Sequence, residues 1–185
     1  KGVSEKIADI CTDKYLFHKI LNDAGLRDAT CKLIKSETKL ENICDISLRY
    51  PVIIKPRYGS GSRGVTVACS YIELKRGLIE RIENTETQTL NEDYIVEDMI
   101  EGKEYGLDAV IENGVFKLVL LRGKILTEPP SRQCVGYYSI VPDEEKNIKL
   151  IQQVNDYMNK IVQRMNIDNT ILHGDLIIKG DSIFV

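Results

Sequence analysis

The chain has 185 residues, of which 43% are hydrophobic and 29% charged, with a formal net charge of −3. That length buries a real core as one large domain or two small lobes. The near-neutral balance excludes the strong basic excess on which non-specific nucleic-acid binding depends. No apolar run approaches the ~20 residues of a membrane-spanning helix, and no secretory leader is visible. A cytoplasmic protein with no nucleic-acid and no membrane partner is therefore expected.

Cys11, Cys31, Cys44, Cys69 and Cys134 are scattered and form no Cys-x-x-Cys pair. This is the pattern of small hydrophobes in a reducing compartment rather than of a disulfide framework or a zinc site. His18 and His173 are the only histidines, little material for a histidine-based metal centre. The chain opens on Lys1 rather than Met and stops in an extended pattern at Ile183-Phe184-Val185, as expected of a piece of a longer polypeptide.

In chain order, Thr12 reads as a helix N-cap with Asp13 in the first turn. Leu16, Ile20, Leu21 and Ala24 fall on one helical face that Gly25 ends. Residues 30–34 read as a strand and 37–48 as a helix with Leu40, Ile43, Cys44 and Leu48 inward. Val52-Ile53-Ile54 is a short β-favouring run that delivers Lys55 and then Pro56, which bars a helix. A loop of glycine, serine and arginine follows, and Val65 to Cys69 returns as a second strand. Ser70-Tyr71-Ile72-Glu73 has capping-box form, with Leu74, Leu78, Ile79 and Ile82 as the apolar face of the helix behind it.

Residues 84–92 are polar and read as a loop, which makes them the best boundary between two α+β lobes, 1–93 and 94–185. Tyr94-Ile95-Val96 is a strand that runs into Glu97 and Asp98. Residues 103–111 and 115–121 flank Asn113-Gly114, the signal for a hairpin with a type I′ turn. Shorter extended pieces are expected at 123–127 and 136–141, on either side of Pro129-Pro130. Residues 143–165 carry the longest helical pattern, with Ile148, Ile151, Val154, Met158, Ile161, Val162 and Met165 inward. A last hairpin, 171–179 and 182–185, turns at Gly180-Asp181.

Three constellations carry chemistry. Gly59-Ser60-Gly61-Ser62-Arg63-Gly64 spells G-x-G-x-x-G, but β-favouring Val65-Thr66-Val67 follows where a dinucleotide fold starts a helix. No Gly-Lys-Ser/Thr closes it as a Walker loop, and Lys55 precedes the glycines where the kinase lysine follows them. What remains is a phosphate-binding hairpin, in which glycines let backbone N–H groups approach an anion and Lys55 adds a fixed charge. The alternative is a hairpin tip with no ligand. The second constellation is Glu97 with Glu104, either a solvated inter-lobe linker or a segment that offers its backbone to a purine and a carboxylate to ribose hydroxyls. The third is Leu172-His173-Gly174-Asp175, where an acid in an apolar strand calls for a partner or a cation. Oxygen ligands in low number suit Mg²⁺ shared with phosphates, and the alternative is an edge-strand Asp facing water.

Taken together, Asp13-Lys14, the Pro-Val-Ile-Ile-Lys-Pro run with its glycine loop, Val-Glu-Asp-Met-Ile-Glu-Gly-Lys-Glu and His-Gly-Asp resemble the ATP-grasp superfamily. The closest flavour is the carbamoyl-phosphate-synthase-like and biotin-carboxylase-like branch, over roughly 13–185. The resemblance implies a two-lobed α+β fold that grips ATP between the lobes, truncated here at the C-terminus. It implies that Lys14 and Lys55 meet the ATP phosphates under a flap at Gly59, Ser60, Gly61, Ser62 and Gly64. Glu97 with the backbone of Asp98, Met99 and Ile100 would face the adenine, Glu104 the ribose, and Asp175 the Mg²⁺ (or Mn²⁺), with His173 where several relatives have a histidine.

The family's second metal-binding glutamate and Asn-Pro-Arg-like element would follow Val185. The implied activity is that of an ATP-dependent ligase joining a small carboxylate to an amine or thiol nucleophile through an acylphosphate, with flanking domains of the same polypeptide as partners. The isolated piece is expected to be inactive. Arg132 is the candidate catalytic group, able to meet a substrate carboxylate or simply solvated. The alternative function is a non-catalytic nucleotide-binding module.

Overall fold

The computed structural model describes residues 2–38, 48–59, 64–83, 92–127 and 134–185, the side chains of 82 and 83 excepted. Most of the expected helix at 37–48 lies outside the described residues, as do Ser60, Gly61, Ser62 and Arg132. The chain divides into two compact units, each with its own antiparallel sheet. One comprises Asp9–Asp23 and Asp28–Met99; the other comprises Lys1–Ala8, Ala24–Arg27 and Ile100–Val185.

The Asp9–Met99 unit holds the helix α2 (Lys14–Asp23), the strands β1 (Cys31–Ile34), β2 (Val52–Pro56) and β3 (Thr66–Ala68), the helix α3 (Tyr71–Glu83) and the strand β4 (Tyr94–Asp98). Its four strands lie in the order β1-β4-β2-β3. Tyr94–Asp98, expected to open the second lobe, is a central strand of this sheet, paired on both sides. Its first four residues are all buried, as a central strand requires, and the contact boundary falls after Met99.

Alternation divides this sheet into two faces. Val52, Ile54, Ala68, Tyr94, Val96 and Ile34 pack with Leu74 and Leu78 of α3 into one core. The register puts Cys31, Leu33, Ile53, Lys55, Ile95 and Glu97 on the opposite face, on the side where α2 buries Leu21 and His18. The capping box at α3 forms in a shifted version: Ser70 Oγ accepts from the Glu73 amide at 3.3 Å, while Glu73 Oε2 accepts from the Cys69 amide at 2.8 Å.

A helix that periodicity did not announce, α1 (Glu5–Thr12), precedes α2, so Thr12 closes one helix instead of capping the next. The cap of α2 is Asp13, whose Oδ1 accepts from the Leu16 amide at 3.1 Å. Asp is among the best N-cap residues, since its carboxylate meets both the open N–H groups and the positive end of the helix dipole.

The Ile100–Val185 unit is built on β5 (Lys103–Glu112), β6 (Val115–Leu126), β7 (Cys134–Ser139), α4 (Glu145–Met165), β8 (Thr170–Lys179) and β9 (Ser182–Phe184). The strands lie in the order β7-β6-β5-β8-β9. Asn113 and Gly114 take φ of 51° and 75°, the pair of positive angles that a type I′ turn demands. The piece expected separately at 123–127 continues β6 without a break to Leu126. Tyr105, Leu107, Ala109, Ile111, Leu121 and Leu176 are buried with Val154, Met158, Ile161, Val162 and Met165 of α4. Ile148, expected inward, is 49% exposed because it sits in the first turn of the helix, before the buried stripe begins at Val154. Asn159 Oδ1 accepts from the Phe116 amide at 3.0 Å, tying α4 to β6. Tyr157 donates to the Leu26 carbonyl at 2.8 Å, and burial pushes its hydroxyl up to about 12.

Candidate functional site

In the Asp9–Met99 unit, Lys14 occupies the first turn of α2 and Lys55 the end of β2. Lys14 Nζ donates to the Gly59 carbonyl at 2.7 Å, so it holds the near end of the glycine loop. Burial lowers its pKa, and the neighbouring Lys55 ammonium lowers it further. The two lysines are thus near enough to feel each other's charge. The far end of the loop is fixed by Arg81, which donates to the Gly64 carbonyl at 2.7 Å and to Thr66 Oγ1 at 2.9 Å, over the Tyr94 ring. Gly59 and Gly64 take φ of 102° and 71°, angles that a side chain resists, so glycine marks both ends of the loop.

Lys55 Nζ lies 2.5 Å from Glu97 Oε1, and His18 Nδ1 lies 3.1 Å from Glu97 Oε2. Burial pushes the Glu97 carboxyl up, but Lys55 and the hydrogen-bonded His18 outweigh it and hold the acid at about 2. Glu97 is therefore a buried carboxylate fixed between a cation and an imidazole, not part of a solvated linker. Beside it, the Thr30 amide donates to Asp98 Oδ2 at 2.8 Å and the Asp98 amide donates to the Thr30 carbonyl at 3.1 Å. The Met99 amide donates to the Pro51 carbonyl at 3.2 Å. The segment after β4 is thus anchored to the sheet by its own backbone.

Arg57 is the residue that the sequence did not single out here. Its Nε and Nη2 grip Asp13 at 2.9 and 2.6 Å, and its Nη1 holds Asp93 at 2.9 Å. The Lys14 amide donates to its carbonyl at 3.2 Å. This fork ties the start of α2 to the end of β2 and so sets where Lys14 stands against Lys55; it also draws the Asp13 carboxyl below its ordinary value. The signal was present in the sequence, since Arg57 directly follows Lys55-Pro56 and Asp13 directly precedes Lys14.

In the Ile100–Val185 unit the polar face of the sheet, opposite α4, gathers the other candidates. Register sets Asp175 opposite Gly106, His173 opposite Asp108, Glu104 opposite Ile177 and Arg122 opposite Gly106. Asp175 is 65% exposed and its Oδ1 lies 2.8 Å from Lys124 Nζ, whose side chain is 12% exposed. Asp108 bridges Arg122 at 2.6 Å and His173 Nδ1 at 2.7 Å, and the His173 hydrogen bond lowers its carboxyl pKa. The Arg122 guanidinium lies 5.4 Å from the Tyr137 ring centre. His173 and Asp175 thus share one face with two cations, Arg122 and Lys124, that motif reading passed over. Asp175 has the partner that its setting called for, although the strand is open to solvent on that side. A carboxylate with free access and a single lysine partner fits a hard divalent cation, which takes oxygen ligands and keeps its waters.

A model of the ATP-grasp domain family matches residues 48–185, and the chain belongs to that family. Among curated proteins it is similar to the carbamoyl phosphate synthase large chain of Neisseria meningitidis serogroup B, 26% identical over 181 residues. The match covers 94% of this chain and 16% of that protein. Among solved structures it resembles an L-amino acid ligase from Bacillus licheniformis at a TM-score of 0.75 and 17% identity, covering 98% of this chain and 40% of the other. A D-alanine–D-alanine ligase from Bacillus anthracis superposes at 0.71 with 18% identity, covering 99% and 57%. The chain therefore spans a sixth to somewhat over half the length of these relatives. Among the described residues no helix is long and apolar enough to cross a membrane.

Proposed function

We propose that this chain is the nucleotide-binding part of an ATP-dependent ligase that activates a small carboxylate as an acylphosphate. The observation that carries the reading is the pair Lys14 and Lys55, two ammonium groups near enough to feel each other's charge, with Lys14 holding the Gly59 end of the glycine loop. In this reading they neutralise charge on the transferring phosphoryl group, and the loop through Ser60, Gly61 and Ser62 to Gly64 adds amide donors. Glu97 keeps Lys55 in place. The backbone of Asp98 to Ile100 takes the adenine and Glu104 the ribose. Asp175 holds Mg²⁺ or Mn²⁺, which when bound supplies further neutralisation of the phosphate oxygens.

The substrate carboxylate oxygen attacks the γ-phosphorus and ADP leaves. An amine or thiol then attacks the acyl carbon and phosphate leaves. Arg132 is the residue we assign to the substrate carboxylate, and flanking domains of the same polypeptide are the partners that would complete specificity. A thermal-shift titration tests the first step. With Mg·ATP at a hundred times its Kd, binding adds about 2.7 kcal/mol, which for this length raises Tm by roughly 5–11 °C. No shift at millimolar Mg·ATP overturns the reading.

One observation favours a second reading, a nucleotide-binding module without catalysis: the Asp175 carboxylate already carries a lysine counter-ion in Lys124. ATP-dependent phosphate release by the polypeptide with its flanking domains, over a panel of amino acids and small carboxylates, separates the two. Release supports the ligase, and tight Mg·ATP binding without release supports the module.

A further inference from the structure

The nucleotide reading uses Lys55 and Glu97 but gives no work to His18 or Cys31, which meet on the same face. His18 Nδ1 or Nε2, Cys31 Sγ and a Glu97 carboxylate oxygen all lie within 4.8 Å of one another. Three different elements bring them there. His18 comes from α2, Cys31 from β1 and Glu97 from β4, and Cys31 stands directly opposite Glu97 in the β1–β4 pairing. Directly opposed residues project from the same face with Cβ atoms about 5 Å apart, so the sulfur and the carboxylate face one space beneath α2. His18 and Glu97 are 5% and 6% exposed, and Cys31 is half-buried. One thiol, one imidazole and one carboxylate converge there.

We infer that His18, Cys31 and Glu97 form a binding site for a thiophilic divalent cation of the zinc class. A thiolate with an imidazole selects Zn²⁺ over Mg²⁺ or Ca²⁺. Zinc bonds of ~2.0–2.3 Å place tetrahedral donors about 3.5 Å apart, which the present cluster meets by closing inward by about an ångström at its widest. Glu97 has its two oxygens divided for the purpose. Oε1 carries Lys55 at 2.5 Å, while Oε2 lies toward His18 at 3.1 Å. Lys55 thereby becomes the outer partner that orients a ligating carboxylate, as such groups do in known centres. Thiolate and carboxylate offset the dication, so the cluster keeps the one positive charge of Lys55; one proton passes from the Cys31 thiol to solvent, and no electron moves. The ion would pin α2 to the sheet that carries Lys55.

Co²⁺ titration of the nucleotide-free chain tests this without any assay of activity. One Co²⁺ per chain with a thiolate charge-transfer band and intense tetrahedral visible bands is expected. Cys31→Ser should remove the charge-transfer band, His18→Gln should weaken binding at least tenfold, and Cys134→Ser, in the other unit, should change neither. Since either core variant can misfold, the wild-type chain supplies a further readout: stoichiometric Zn²⁺ should protect Cys31, and not Cys134, from alkylation as read by mass spectrometry. A wild-type chain without the charge-transfer band, a band that survives Cys31→Ser, or Cys31 alkylated equally fast with and without Zn²⁺ overturns the site. Nucleotide binding is not read in any of these measurements, so their failure leaves the ATP reading standing.

Discussion

Two acid–base clusters in this chain use the same residue types in opposite ways. In the Asp9–Met99 unit, Glu97 is buried with its side chain 7% exposed, and Lys55 and His18 are its required partners. In the Ile100–Val185 unit, Asp175 and His173 stand 65% and 68% exposed on an open sheet face beside Lys124 and Asp108. Burial makes the first cluster a fixed part of the fold, because an uncompensated charge there has no water to fall back on. Solvent screens the second, so its ion pairs cost little to break and can be exchanged for a ligand. One cluster positions a cation; the other can trade one.

The sharpest way to break that contrast is to delete the two carboxylates. Glu97→Ala strands Lys55 beneath α2 and should cost about 3–5 kcal/mol, read as a fall in the urea midpoint. Acid gives the next largest effect. Glu97 titrates at about 2 in the folded chain against an ordinary 4.5. A depressed carboxyl contributes stability that is full above its unfolded pKa and lost as pH falls through the folded one. On the order of 3 kcal/mol should therefore disappear between pH 4.5 and 2. Glu97→Gln should flatten that limb, and urea unfolding across the window checks it.

On the other face of the sheet that bears Asp175, where Gly123 stands opposite the buried Tyr105, packing rather than charge should govern. A Cβ on Gly123 would lie 2.1 Å from Tyr138 Cζ, so the ring of the paired strand lies directly on that glycine. Gly123→Ala must dislodge Tyr138 and should cost roughly 1–3 kcal/mol by overpacking, with the loss read in the same urea experiment. The smallest effect belongs to the exposed carboxylate itself. Asp175→Asn should change stability by under about 1 kcal/mol, despite the 2.8 Å contact with Lys124. A loss at Asp175 as large as that at Glu97 would erase the distinction between the clusters.

Much of the fold was legible because its chemistry is local. Asn113-Gly114 dictates its turn, the Val52-Ile53-Ile54 run is a strand ending at Lys55, and the stripe from Val154 to Met165 buries as spaced. What was not legible depends on contacts far apart in the chain. Helix α1 is 8 residues long and buries only Ile10 among them, too little for a periodic signal. Tyr94–Asp98 reads equally well as the start of a lobe or the middle of a sheet until its partners, Cys31–Ile34 and Val52–Pro56, are known. Of the candidate site, Lys14, Lys55 and Asp175 were singled out by motif, whereas Arg57, Arg122 and Lys124 act through partners 44, 14 and 51 positions away. The joining of His18, Cys31 and Glu97 leaves no spacing signature, since strand pairing alone assembles it.

The central claim is that Lys14 and Lys55 form the phosphate end of a nucleotide site. Calorimetric titration of Mg·ATP into the wild-type chain, Lys14→Ala, Lys55→Ala and the surface control Lys149→Ala tests it directly. Charge-assisted hydrogen bonds contribute about 1.5–3 kcal/mol each, so each of the first two variants should bind roughly ten- to a hundredfold more weakly and the control as wild type. Lys14→Ala guards against misfolding at Lys55, since it leaves the Lys55–Glu97 pair intact. Wild-type affinity in both lysine variants would contradict the account.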